Sequence, residues 1–203
     1  MKKTFFLFLF FCISVTGFAQ YTPGINNNVT LLSHWDEYNV YSNIWGFIGS
    51  DGKEYALIGH NQGTSFVDIS DPSQPIERDM IPGPSASGTI WREIKTYDNY
   101  AYIVSEHTQP NSLTGVQIVD LSFLPDSAHL VTNYRWPGVT ASNAKVHSVT
   151  IDVEHALLII QGGTSTQGIT GADPGGIRIL SLATPTAPVS RATLPIRYVH
   201  DSY

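Results

Sequence analysis

Cysteine is almost absent from this chain: one residue in 203, Cys12, and it lies in an apolar N-terminal stretch. A lone cysteine forms no internal disulfide, builds no thiolate zinc site and leaves stability to a packed core. Charge is also scarce. Charged residues make up 14% of the chain, 11 basic against 17 acidic, for a net charge of -6, and no basic cluster follows Lys2-Lys3. Nucleic acids and anionic membrane surfaces need dense positive charge, so neither is an expected partner. No serine sits in a G-x-S-x-G turn, and neither an H-E-x-x-H helix nor a Gly-rich phosphate loop is present. Segments of helical period are missing too. What remains is 17 Gly, 12 Pro and 11% aromatic residues, a composition of short strands joined by turns.

Residues 1–19 read as a secretory signal peptide. Lys2-Lys3 form a positive start, Phe5 to Val15 an apolar core, and Gly17-Phe18-Ala19 a small-x-small cleavage pattern before Gln20. The apolar core is too short for a spanning helix, which needs about 20 residues. No transmembrane segment is expected beyond this signal. Cys12 lies mid-core behind Phe10-Phe11, where a lipid-attachment signal would place small residues. Residues 20–203 then form one domain of an exported chain, secreted or held at the cell surface.

That domain is repetitive. Gly63 to Pro72 (GTSFVDISDP), Gly115 to Pro125 (GVQIVDLSFLP) and Gly176 to Pro185 (GIRILSLATP) each read as a glycine, an apolar strand and a polar turn closed by proline. The apolar strands Tyr55–Gly59, Tyr100–Ser105 and Ala156–Gln161 precede them, and others follow at Ile76–Ile81, His129–Trp136 and Val189–Ile196. Upstream openings lie at Ser42-Asn43-Ile44, Arg92-Glu93-Ile94 and His147-Ser148-Val149, and a fourth copy opens at His200-Asp201-Ser202. Val29 to Trp35 reads as a final strand lacking its predecessors. Four short strands per 50–60-residue unit predict an all-β chain, a β-propeller of four-stranded blades. A parallel β-helix is the competing architecture, with shorter coils and fewer hairpins.

The segments Phe66–Ser70 and Ile118–Ser122 resemble the LVIVD repeat. With Ile90–Val104 (IWREIKTYDNYAYIV), Leu31–Asp36 (LLSHWD) and Tyr198–Tyr203 (YVHDSY), the chain is similar to the choice-of-anchor B family of secreted bacterial proteins. The resemblance implies export from a Gram-negative bacterium, a propeller and a variable C-terminal anchor. Against that pattern the chain reads as truncated, with about three and a half blades and no anchor.

In a propeller the first strand of each blade lines the channel, so the openings of those strands converge at one mouth. Ser42, Arg92, His147 and His200 occupy one equivalent position, and Asn43, Glu93, Ser148 and Asp201 the next. Asn43, Trp91, Arg92, Glu93, His147, His200 and Asp201 are therefore the candidate ligand-binding set. Within it His147, His200, Glu93 and Asp201 are candidate ligands for a divalent metal, and Arg92 a clamp for an anion. The alternative is a wet polar channel whose side chains bridge the blades. His34, His60, His107, His129 and His155 fall in turns or on outer strands and are expected at the surface. Asp68 and Asp120, recurring with Ser70 and Ser122, suit either calcium or turn capping, and Ser181 in the third copy favours capping. Trp45, Trp91 and Trp136 suit either sugar stacking or packing between blades. The Gly-rich loop 162–176 and the shorter Glu106–Gly115 are expected to carry specificity. The function expected is a secreted or cell-surface binding or adhesion module with an extracellular ligand or surface partner. A metal-assisted hydrolase or lyase at the channel mouth, with Glu93 as general base, is the alternative.

Overall fold

The alternation of apolar runs and Gly/Pro turns is realised as twelve strands in a computed structural model that describes residues 29–84, 90–107, 109–163, 176–195 and 199–202. The expected signal peptide 1–19 and the centre of the Gly-rich loop, 164–175, lie outside the described residues. Residues up to Leu31 form a separate unit; everything below concerns the unit from Leu32 onward.

The first blade is β1 (Tyr41–Ile48), β2 (Glu54–His60), β3 (Gly63–Asp68) and β4 (Ile76–Pro82). The second is β5 (Arg92–Tyr97), β6 (Tyr100–Ser105), β7 (Val116–Asp120) and β8 (His129–Tyr134). The third is β9 (Ser148–Asp152), β10 (Leu157–Gln161), β11 (Ile177–Ser181) and β12 (Val189–Leu194). Each is an antiparallel sheet in chain order. Single 3-10 turns at Asn111–Leu113 and Ala141–Asn143 are the helical content among the described residues. Val29 to Trp35, expected as a strand, has no strand in the structure. Its backbone finds no ladder partner among the described residues, and an extended segment without one is not a strand.

The middle strands are apolar without alternation because both faces of the blade are covered. On β6, Ala101 and Ile103 pack with Tyr55, Leu57, Phe66 and Ile81 of the first blade. Tyr102 and Val104, pointing the other way, pack with Leu158, Ile160 and Leu180 of the third. Period-2 geometry thus sends neighbouring side chains of one strand into two different cores. Each fully buried Leu, Ile or Phe contributes about 1.5–3 kcal/mol. The sheets stack face to face with β1, β5 and β9 side by side, tied by bonds such as Trp45 Nε1 to Thr96 Oγ1 at 2.9 Å. This is a β-propeller-like arrangement of blades. Residues 200–202 run beside β9, where Ser148 Oγ donates to the His200 carbonyl at 2.5 Å and Thr150 Oγ1 to that of Ser202 at 3.0 Å.

The repeated sequence has a repeated backbone irregularity. In every blade the register between third and fourth strand slips at one place: Phe66/Val67, Ile118/Val119 and Ile179/Leu180. The extra residues on the fourth strands are Arg78, Val131 and Arg191. A bulge re-aims a side chain, and here it turns Arg78 onto Asp68 at 2.7 Å and Arg191 onto Ser181 Oγ at 3.5 Å. Burial opposes the charge on Asp68, but bonds from Arg78, Ser70 and Lys53 outweigh it and hold the carboxyl far below the usual range.

In the first two blades the glycine that opens the third strand is fixed by the fourth. A Cβ on Gly63 would strike the Ile81 carbonyl, and one on Gly115, at φ +104°, the Tyr134 carbonyl. Gly46 on β1 has nothing within 4 Å. Gly63→Ala and Gly115→Ala are therefore expected to cost more than about 1 kcal/mol in chemical denaturation, while Gly46→Ala is neutral or mildly stabilising.

Candidate functional site

The openings of the inner strands are where the candidate residues meet, and the blades sort them into two groups. The first joins blades. Asn43 Oδ1 accepts from the backbone N–H of Ile94 at 3.2 Å, and Glu93 Oε2 accepts from that of Val149 at 2.9 Å. Each inner strand is the edge of its sheet, so these side chains satisfy N–H groups that have no ladder partner. Ser148, at the same position in the third blade, is too short for the task. Gln161 takes it over: with its amide oriented to satisfy both ends, the oxygen accepts from Ser202 N at 3.2 Å and the nitrogen donates to Ser148 Oγ at 2.8 Å. The other carboxylate oxygen of Glu93 pairs with Lys95 at 3.2 Å. Lys95 in turn lies 4.1 Å over the Trp45 ring.

Arg92 also belongs to this group, not to an exposed anion clamp. It is 4% exposed, with Nε donating to the His60 carbonyl at 2.8 Å and Nη2 to the Pro84 carbonyl at 2.5 Å. Nη1 has no partner among the described residues and lies against Gly83, where even a Cβ would collide with it. Burial pulls the guanidinium down to about 10, so it stays charged at neutral pH. Ser42 Oγ, at the equivalent place in the first blade, is buried without a partner among the described residues. It borders a cavity of about 360 Å³ lined by His34, Trp35, Asp36 and Ile44 among others.

The second group faces outward. His147, His200 and Asp201 bring their donor atoms within 4.8 Å of one another. The imidazoles of His147 and His200 meet edge to face with centroids 3.9 Å apart. His200 Nδ1 shares a 2.5 Å hydrogen bond with Asp201 Oδ2, which holds that carboxyl below its ordinary range. His147 Nδ1 is 2.8 Å from Glu106 Oε1, at the end of the second strand of the preceding blade. Trp91, 54% exposed, has its ring 6.4 Å from that of His147. Two imidazoles and a carboxylate can hold a divalent ion; Glu93 is not among the gathered donors. Glu106 is the member that sequence reasoning missed, although it opens the loop singled out beside β6 and follows the strand whose end faces the next blade.

Two histidines expected at the surface are buried. His60 ends β2 fully enclosed, with Tyr38 stacked on it at 3.5 Å and Ser65 Oγ at 3.0 Å from Nε2; its Nδ1 accepts from Gln62 N. Strand ends in this stack are covered by the next blade and by the entering chain, so a terminal position does not mean exposure. His107 is 6% exposed. His155 and His129 are exposed as expected, beside Asp152 at 2.8 Å and Ser127 at 2.8 Å. Asp68 and Asp120 cap turns through Ser70 N and Ser122 N, and Ser181 does the same with Ala183 N. Each carboxylate or hydroxyl thus bonds its own turn, the geometry of the capping reading. Trp45 and Trp136 pack between elements, whereas Trp91 stands open.

Residues 53–80 are an LVIVD repeat. The match begins ahead of β2, runs through the bulged β3–β4 pair and ends at Met80, so it covers the part of the first blade that carries the Asp68–Arg78 pair. A search of curated proteins found no match. No helix among the described residues is long and apolar enough to cross a membrane.

Two outcomes follow. Burial first, and the Arg92 charge second, press His60 down to about 4 from 6.5. The unfolded chain binds this proton below pH 6.5 and the folded chain does not, so His60 removes stability as pH falls from 6.5 toward 4. Subtracting His60→Asn melting temperatures from wild-type ones across that range should give a difference that shrinks toward acid. Glu93→Ala leaves the Val149 N–H unpaired and should cost about 1–3 kcal/mol, whereas Glu93→Gln keeps an acceptor and most of the stability. Urea denaturation of both variants checks this.

Proposed function

We propose that this chain is a secreted or cell-surface propeller module that binds an extracellular ligand at the open end of its inner strands. The observation that carries the reading is the convergence of exposed Trp91 with His147, His200, Asp201 and Glu106 on rigid blade edges. Rigid sheets hold such a group at low entropic cost, and an exposed aromatic beside polar groups is a recognition surface. The LVIVD repeat supports a repeat protein of this kind. The N-terminal Lys2-Lys3, the short apolar core and Gly17-Phe18-Ala19 support export, and the resemblance of Ile90–Val104 to the choice-of-anchor B family supports surface display.

A second reading, metal-assisted hydrolysis or lyase chemistry at the same face, is favoured by the three gathered donors. Glu93 would not serve as its general base, because its oxygens bond Val149 N and Lys95. Glu106 is the carboxylate nearest to the cluster's His147.

Retention of the purified full chain on the surface of intact cells of its source tests the binding reading. Trp91→Ala is expected to lower retention at least about tenfold while leaving the melting temperature unchanged, the size expected when an aromatic anchor worth about 1.4 kcal/mol or more is lost. Equal retention of Trp91→Ala and wild type would remove this face as the binding surface.

A further inference from the structure

We propose that His147, His200 and Asp201 form a site for a divalent transition-metal ion of the zinc class, with Glu106 as the residue that positions His147. The inference rests on reading this end of the inner strands as the binding face, and it names the chemistry of what binds first. Three donors of mixed type, two imidazoles and one carboxylate, lie within 4.8 Å of one another. That set suits zinc, cobalt(II) or nickel(II); calcium and magnesium prefer an all-oxygen shell.

The donors come from two places that the fold brings together. His147 precedes β9 and is held from behind: its Nδ1 faces Glu106 Oε1 at 2.8 Å. A carboxylate at Nδ1 favours the tautomer with the proton there, which makes Nε2 the ring nitrogen able to act as a ligand. The His147 side chain is 14% exposed and that of Glu106 27%, so this pair is shielded from solvent competition. His200 and Asp201 are adjacent in sequence and exposed, with side chains 66% and 46% accessible. Their segment is tied to the third blade through the His200 carbonyl on Ser148 Oγ and the Ser202 carbonyl on Thr150 Oγ1. A tetrahedral ion with bonds near 2.1 Å holds its ligands about 3.4 Å apart, so closure asks for movements of about 1 Å. The exposed pair can supply them by rotamer adjustment. An ion would replace the proton that His200 and Asp201 now share. Three protein donors would leave the fourth position of a tetrahedral ion for a further ligand.

Zinc chloride titrated into the full chain, followed by isothermal calorimetry and elemental analysis after dialysis, tests the proposal. One ion per chain is expected, with cobalt(II) giving the visible absorption of a four-coordinate nitrogen–oxygen site. His200→Ala and Asp201→Asn, both at exposed positions where folding is little affected, should weaken zinc binding at least about a hundredfold and about tenfold respectively. Glu106→Gln should weaken it about 10–100-fold while the cobalt spectrum keeps its shape, the effect of a lost orienting partner. His155→Ala removes an equally exposed histidine–aspartate pair and should change nothing. No zinc binding, binding unchanged in His200→Ala, or equal loss in His155→Ala would each overturn the site. Calcium binding in place of zinc would overturn the assignment of the ion. Loss of the metal site with Trp91-dependent surface retention intact would leave the binding reading standing.

Discussion

Every inner strand of this molecule has one free edge, and the stacking of blades depends on how that edge is satisfied. An edge strand presents N–H groups with no ladder partner, and buried beside another sheet they cost free energy unless an acceptor reaches them. Asn43 reaches Ile94, Glu93 reaches Val149, and Gln161 reaches Ser202. Three residue types, on the first strand in two blades and on the second strand in the third, do one job because the geometry asks only for an oxygen at that height. The bond also fixes the height of one blade against the next, and with it the alignment of the apolar cores that bury Ile94 and Val149 completely. Ile44, equivalent to both on β1, is 65% exposed and borders the 360 Å³ cavity.

The same economy holds inside each blade. In the first two blades the glycine of the repeat stands where the fourth strand's carbonyl occupies the space of a Cβ, and the Asp or Ser that ends each third strand closes its own turn. The bulge between these two landmarks re-aims a fourth-strand residue. Where that residue is arginine it bonds the capping side chain; where it is Val131 it is simply exposed. The LVIVD pattern is thus a record of backbone proximity, and a recognition surface need not share it.

Position one of the inner strands shows how identical placement yields different chemistry. Arg92 turns back between blades, onto the carbonyls of His60 and Pro84, because its long side chain can bury its stem and still reach acceptors. His147 and His200 are shorter and stiffer and stay at the strand openings, where they meet. The carboxylates divide in the same way: Glu93 is spent on the blade junction, while Asp201 and Glu106 flank the imidazoles.

Sequence alone determined the all-β class, the four-stranded unit and its boundaries to within a few residues, because strand length, Gly/Pro punctuation and a repeat of 50–60 residues are local signals. It also determined which residues share a place in the repeat, and so brought His147, His200 and Asp201 into one set although 53 positions separate the histidines. Tertiary structure decided which members of that set face outward. Side-chain length, the presence of Gly83 beside Arg92 and the demand of an unpaired N–H on the next blade are not written in any single repeat. Tertiary structure likewise buried His60 and His107 and brought Glu106 to His147, since both depend on what the adjacent sheet presents across the junction. Contacts between blades join residues some 30 to 60 positions apart, and only the stacking of sheets sets which of them meet.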